Sequence, residues 1–121
     1  MADTVLVVDD SKVVRILIVR ALRAAGYETR EAADGVEAIE AIEASDDIDF
    51  VVCDISMPRM SGLELLEKVQ AEALTSAPFL VLTTDFQADL VRQAQAFGAK
   101  GWLQKPFEPH TLIATLRQLA A

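Results

Sequence analysis

Apolar residues along this chain follow two rhythms. Unbroken runs stand at Val5-Leu6-Val7-Val8, Phe50-Val51-Val52-Cys53 and Phe79-Leu80-Val81-Leu82. A less apolar run spans Tyr27 to Ala32, and a brief one at Gly101-Trp102-Leu103-Gln104 is bounded by Gly98 and Pro106. Runs this short between punctuating residues predict strands. The stretches between them are helical in period. Val14, Leu17, Ile18, Ala21, Leu22 and Ala25 recur at three- and four-residue steps after a capping Ser11 and before Gly26. Asp34 caps a helix over Val36 to Ala44, Ser61 one over Leu63 to Ala73, and Asp85 one over Ala88 to Phe97 ahead of Gly98; Pro109 opens a last helix that ends near Leu119.

Five βα units follow, their strands beginning near positions 4, 27, 49, 78 and 101. Regular alternation predicts an α/β fold with a parallel five-stranded sheet, and strands apolar along their whole length predict helices over both faces, a three-layer sandwich. The common orders for five such strands include the flavodoxin-like 2-1-3-4-5, in which ligands bind beyond the carboxyl ends of strands 1 and 3.

Length and charge narrow the function. The chain has 121 residues, 52% of them hydrophobic, which suits one domain over residues 1–121. A net charge of −8 repels nucleic acid and anionic membrane surfaces, so neither is expected as a partner. The single cysteine, Cys53, makes no internal disulfide, no apolar run is long enough to span a bilayer, and no basic leader precedes one. A cytoplasmic protein is expected, as a monomer or weak dimer.

Candidate chemistry emerges from the polar residues that follow each predicted strand, because parallel strands deliver these to one edge. Strand 1 is followed by Asp9-Asp10, strand 3 by Asp54, strand 4 by Thr83 and strand 5 by Lys105. If strands 1 and 3 are neighbours, three carboxylates converge. Each pair about 4 Å apart would cost about 4 kcal/mol at an effective dielectric near 20, so the cluster calls for added positive charge. Carboxylate oxygens without His or Cys select a hard cation, and Mg²⁺ suits a site that also takes a phosphate oxygen. A phosphoryl group at this edge would meet the Lys105 ammonium and the Thr83 hydroxyl. Asp54, ionised at neutral pH, would be the nucleophile and would yield a labile aspartyl phosphate. Each residue has an ordinary structural reading when taken singly. Their joint placement carries the inference.

The motifs Val7-Val8-Asp9-Asp10-Ser11-Lys12, Cys53-Asp54-Ile55-Ser56-Met57-Pro58-Arg59-Met60-Ser61-Gly62, Val81-Leu82-Thr83 and Lys105-Pro106-Phe107 resemble, in order and spacing, those of response regulator receiver domains of the stand-alone, CheY-like type. The resemblance spans the chain. It implies a phosphorylation-activated switch of a two-component or phosphorelay system, with Asp54 as phosphoacceptor and Lys105 pairing with the phosphoryl group. It also implies Mg²⁺ held by Asp10, Asp54 and the backbone carbonyl of Ser56, with Asp9 helping through water. Thr83 becomes the switch hydroxyl, Trp102 the aromatic residue coupled to it, and Lys105-Pro106 a cis bond. Ser56 and Asp85 occupy positions that tune autodephosphorylation, and Thr84 stands where a smaller residue is usual. The implied partners are a histidine kinase or phosphotransfer protein docking around Val13, Val14 and Leu17, and a downstream protein target on the fourth helix, fifth strand and fifth helix. No output domain is expected, and no enzyme activity beyond the chain's own phosphoryl transfer and autodephosphorylation.

Two other classes share parts of the pattern. A phosphohydrolase of the haloacid dehalogenase type also uses an aspartate, Mg²⁺, Thr and Lys, but needs an acid two residues past the nucleophile, where this chain has Ser56. A degenerate receiver acting only as a binding module would not need Asp54, Thr83 and Lys105 intact. A flavodoxin would need a phosphate loop where Asp9-Asp10 stand. His110 and Cys53 read as a surface residue and a small buried hydrophobe, and Met57 and Met60 as gap fillers beside the site.

Overall fold

The computed structural model describes residues 2–57, 59–84 and 88–120. Asp85, expected to cap a helix and to tune dephosphorylation, and Pro58 of the third-strand motif lie outside the described residues. Five strands alternate with five helices: β1 (Thr4–Val8), α1 (Lys12–Ala24), β2 (Glu28–Ala32), α2 (Gly35–Ala44), β3 (Phe50–Asp54), α3 (Gly62–Glu72), β4 (Phe79–Thr83), α4 (Ala88–Ala96), β5 (Gly101–Gln104) and α5 (Pro109–Ala120). All four strand pairings are parallel, and the order is β2-β1-β3-β4-β5. This is the flavodoxin-like arrangement expected from the alternation.

The three central strands are buried at every position, whereas β2 and β5, at the edges, are mostly not. Within these continuous apolar runs the pleat still sorts side chains by a period of two. Val5, Val7, Phe50, Val52, Leu80 and Leu82 meet Ile18 and Leu22 of α1 and Leu112 and Leu116 of α5. Their neighbours Leu6, Val8, Val51, Cys53 and Val81 meet Ala38 and Ile42 of α2, Leu65 and Val69 of α3, and Ala94 of α4. Two cores therefore back a single sheet, and a polar side chain at a central strand end has little room to move.

Three of the expected caps are formed. The Ser11 hydroxyl accepts from Val14 N, Asp34 accepts from Glu37 N, and Ser61 forms a reciprocal capping box with Glu64. Boundaries shift in small ways. Tyr27 precedes β2, because its N–H bonds Leu22 O to close α1; its ring meets Phe50 edge-on. Helix α3 ends at Glu72, one residue early, because Ala73 turns left-handed at φ 50°. Strands β3 and β4 each run one residue further, making Asp54 and Thr83 the last strand residues. Both residues thus take their backbone positions from the ladder itself.

Leu80 is fully buried in the core beneath α1 and α5. Leu80→Ala is expected to cost about 2–5 kcal/mol of unfolding free energy, measured by urea denaturation.

Candidate functional site

Strands β1, β3, β4 and β5 all end at the same edge, and their last residues bring the predicted side chains together. Asp9 is fully buried, Asp54 is 7% exposed and Asp10 is exposed. One carboxylate oxygen from each lies within 4.8 Å of the others. Lys105 reaches this group through β5: its N–H donates to Thr83 O at 2.7 Å, carrying the ladder one residue past the strand. Its ammonium donates to Asp9 Oδ2 at 2.7 Å and lies 3.6 Å from Asp54 Oδ2. Thr83 is buried at the end of the neighbouring strand. The predicted Lys105-Pro106 bond is cis.

Asp9 is the most tightly held of the acids. Its Oδ1 accepts from Ser11 N at 2.9 Å, and its backbone N–H donates to Ala32 O at 3.1 Å. Among the described residues, Asp54 accepts a long contact from Ser56 N at 3.5 Å. Burial raises its pKa, Lys105 opposes this, and the charges of Asp9 and Asp10 push it up further. One ammonium among three carboxylates leaves the cluster short of positive charge. The donor set, carboxylate oxygens only, fits a hard divalent cation such as Mg²⁺. Asp10, exposed at the rim, is placed to let such an ion keep water.

Close backbone approach completes the edge. A Cβ on Gly62 would lie 2.4 Å from Asp54 O, and Gly62 N bonds Ile55 O at 3.0 Å. The turn after β3 therefore folds directly onto the strand end, and only glycine fits there. Ser56, on this turn, is exposed, as is Thr84 beyond β4. Trp102 sits on β5 opposite Val81 and is 41% exposed. In this structure its ring faces outward. Cys53 is fully buried and its thiol pKa is raised strongly by desolvation, which keeps it an inert thiol.

Three contributors were not legible in the sequence. Arg15 of α1 donates through Nη1 to the Asp9 backbone carbonyl at 2.6 Å and contacts Glu31 at 3.3 Å, steadying the segment that carries both acids. Asp34 and Arg59, from separate loops, form an ion pair at 2.7 Å. An i+6 spacing and a pairing across 25 residues leave no periodic mark. Beside the site, an apolar groove of about 570 Å³ runs between α1 and the β5–α5 turn, lined in part by Val14, Leu17, Ile18, Lys105, Phe107 and Leu112. Leu17, which lines it, is exposed, as is Val13 on the same helix. No helix among the described residues is long and apolar enough to cross a membrane.

Comparison with known proteins gives one consistent result. Residues 5–117 match the response regulator receiver domain. The chain is 37% identical to the chemotaxis protein CheY of Pseudomonas aeruginosa, covering 95% of this chain and 94% of that protein. It is 36% identical to CheY-3 of Vibrio cholerae, over 95% of this chain and 89% of that one. The solved structure of CheY4 of Vibrio cholerae superposes with a TM-score of 0.91 at 38% identity, covering 98% of both chains.

The charge imbalance has a measurable consequence. Because burial makes Asp54 bind its proton more tightly in the folded chain than in the unfolded one, stability falls as pH rises from the ordinary carboxylate range through its folded pKa, and the penalty is present at neutral pH. In the absence of divalent cations, Asp54→Asn is expected to raise the thermal midpoint at pH 7 by roughly a few degrees, by scanning calorimetry. The gain should shrink as pH drops below the ordinary carboxylate range, where the unfolded chain is protonated too.

Proposed function

The chain belongs to the response regulator receiver family, and on that premise we propose that it is a cytoplasmic switch that takes a phosphoryl group on Asp54 from a phosphohistidine of a histidine kinase or phosphotransfer protein. The observation that carries this reading is the meeting of Asp9, Asp10 and Asp54 within 4.8 Å, with the Lys105 ammonium against Asp9 and Asp54.

In the forward step a carboxylate oxygen of Asp54 forms a bond to phosphorus as the phosphorus–nitrogen bond of the donor breaks, and the imidazole leaves with the electron pair. The attacking group is the Asp54 carboxylate, which carries no proton to be removed, so the step needs no general base. The charge spread over the three phosphoryl oxygens is met by the Lys105 ammonium on one side and by the Thr83 hydroxyl from β4. Asp10, Asp54 and the Ser56 backbone carbonyl would hold Mg²⁺, with Asp9 acting through water; when bound, the ion neutralises charge on the phosphoryl oxygens. Resetting is hydrolysis: water attacks phosphorus, and Asp54 leaves as the carboxylate. Ser56, Thr84 and Asp85 tune its rate.

Signalling follows from a shift between conformers. Phosphorylation draws the Thr83 hydroxyl inward and vacates space near β5, into which Trp102, outward-facing here, turns. The exposed Val13 and Leu17 of α1, the latter lining the groove that Lys105 also lines, support docking of the phosphodonor there. The face of α4, β5 and α5 would meet the downstream protein. Against a haloacid dehalogenase-type hydrolase, the residue two past Asp54 is Ser56, whose hydroxyl is far too weak an acid to protonate a leaving group.

Acetyl phosphate with Mg²⁺ is expected to add one phosphoryl group by intact-mass measurement, with none on Asp54→Asn and none without Mg²⁺. Steady release of phosphate from small phosphomonoesters would instead identify a hydrolase, and a folded chain that forms no acyl phosphate would identify an inert binding module. Thr83→Ala is expected to accept the phosphoryl group while losing the accompanying change in Trp102 fluorescence.

A further inference from the structure

Asp9, Asp54 and Lys105 take their positions from the sheet, but Ser56 does not. It lies just beyond β3, is exposed, and contacts Asp54 through its N–H at 3.5 Å. What holds the turn after β3 therefore decides where its backbone stands relative to the carboxylates. At its ends it is pinned by Gly62 N to Ile55 O at 3.0 Å and by Gly35 N to Met60 O at 3.2 Å. The second tie joins it to the start of α2, and the fit there is close: a Cβ on Gly35 would lie 2.6 Å from Met60 Cγ and 2.9 Å from its carbonyl oxygen.

Between these ties stands Arg59. Its φ of 61° places a non-glycine residue in the left-handed region, a conformation that persists when surrounding contacts impose it. Here the contact is its own guanidinium, which donates from Nε to Asp34 Oδ2 at 2.7 Å. Asp34 is 5% exposed and is itself anchored, its Oδ1 accepting from Glu37 N at 2.9 Å as the cap of α2. The pair therefore spans two loops, and one partner is built into a helix start.

We propose that Arg59 is a positioning residue for the metal site: clamped to Asp34, it holds the turn after β3 in the conformation in which the Ser56 backbone completes the cation's ligands. The inference rests on the reading given under Proposed function. Its sign is opposite to what charge alone would do. Arg59 is a cation on the rim of a site for a dication, so by simple field effects its removal should tighten binding. Acting as a clamp, its removal should weaken binding, by about 10-fold as is usual for groups that orient ligands.

Mn²⁺ serves as the probe, its free signal followed by electron paramagnetic resonance and confirmed by Mg²⁺ competition. Wild type is expected to bind one ion, and Arg59→Ala to bind it about 10-fold more weakly with an unchanged circular dichroism spectrum. Arg59→Gly, which eases the left-handed backbone while removing the clamp, should weaken binding equally, and Arg59→Lys should recover part of the affinity. Arg30→Ala, which breaks the surface pair with Asp47, should leave it at the wild-type value. Binding by Arg59→Ala or Arg59→Gly as tight as wild type, or tighter, overturns the clamp alone. A wild-type chain that binds no Mn²⁺ overturns both the clamp and the functional reading beneath it.

Discussion

The arrangement turns on one partly buried ammonium between two carboxylates. Lys105 bonds Asp9 at 2.7 Å and stands 3.6 Å from Asp54, with only 14% of its side chain exposed. Three acids at one sheet edge are otherwise repulsive, and two of them are removed from water. A buried ion pair of this kind adds little net stability, but losing one partner leaves a charge stranded at a cost of about 3–5 kcal/mol. The pair is thus better understood as holding a charged site together than as strengthening the fold. Among the described residues, no buried side-chain nitrogen or oxygen lacks a partner.

That the fold tolerates such a site follows from how it divides its labour. Apolar residues on both sides of β1, β3 and β4 form the two cores, and Asp9, Asp54, Thr83 and Lys105 stand at the last residue of a strand or the first beyond it. Strand ladders fix the backbone there to within a hydrogen bond. The turns beyond them are exposed, and they carry Ser56 and Thr84. The strand ends thus supply charge in fixed positions. Membership of the receiver family is consistent with this division: the motifs that carry the resemblance fall at the strand ends.

Much of this was legible in the linear chain. Whole-length apolar strands, capping residues at Ser11, Asp34 and Ser61, and acids or a lysine after the strands follow from local rules, and each appears where those rules put it. The exceptions were also local in cause. Tyr27 left the strand because its N–H was needed to close α1, and Ala73 left the helix because the chain turned left-handed there without a glycine to announce it. Asp54 and Thr83 belong to strands because a polar side chain at a strand's end does not stop its backbone from pairing.

What the sequence by itself determined was the fold class, the set of polar side chains that meet and the edge to which they are delivered, because periodicity and strand polarity are properties of neighbours along the chain. Tertiary structure alone decided how those side chains meet. That Lys105 leans closer to Asp9 than to Asp54, that Arg15 grips a backbone carbonyl of the acidic pair, that Trp102 faces outward, and that Arg59 reaches Asp34 across 25 residues all depend on distances between segments far apart in the chain. Such distances are set by how helices pack on the sheet, and no local pattern encodes them.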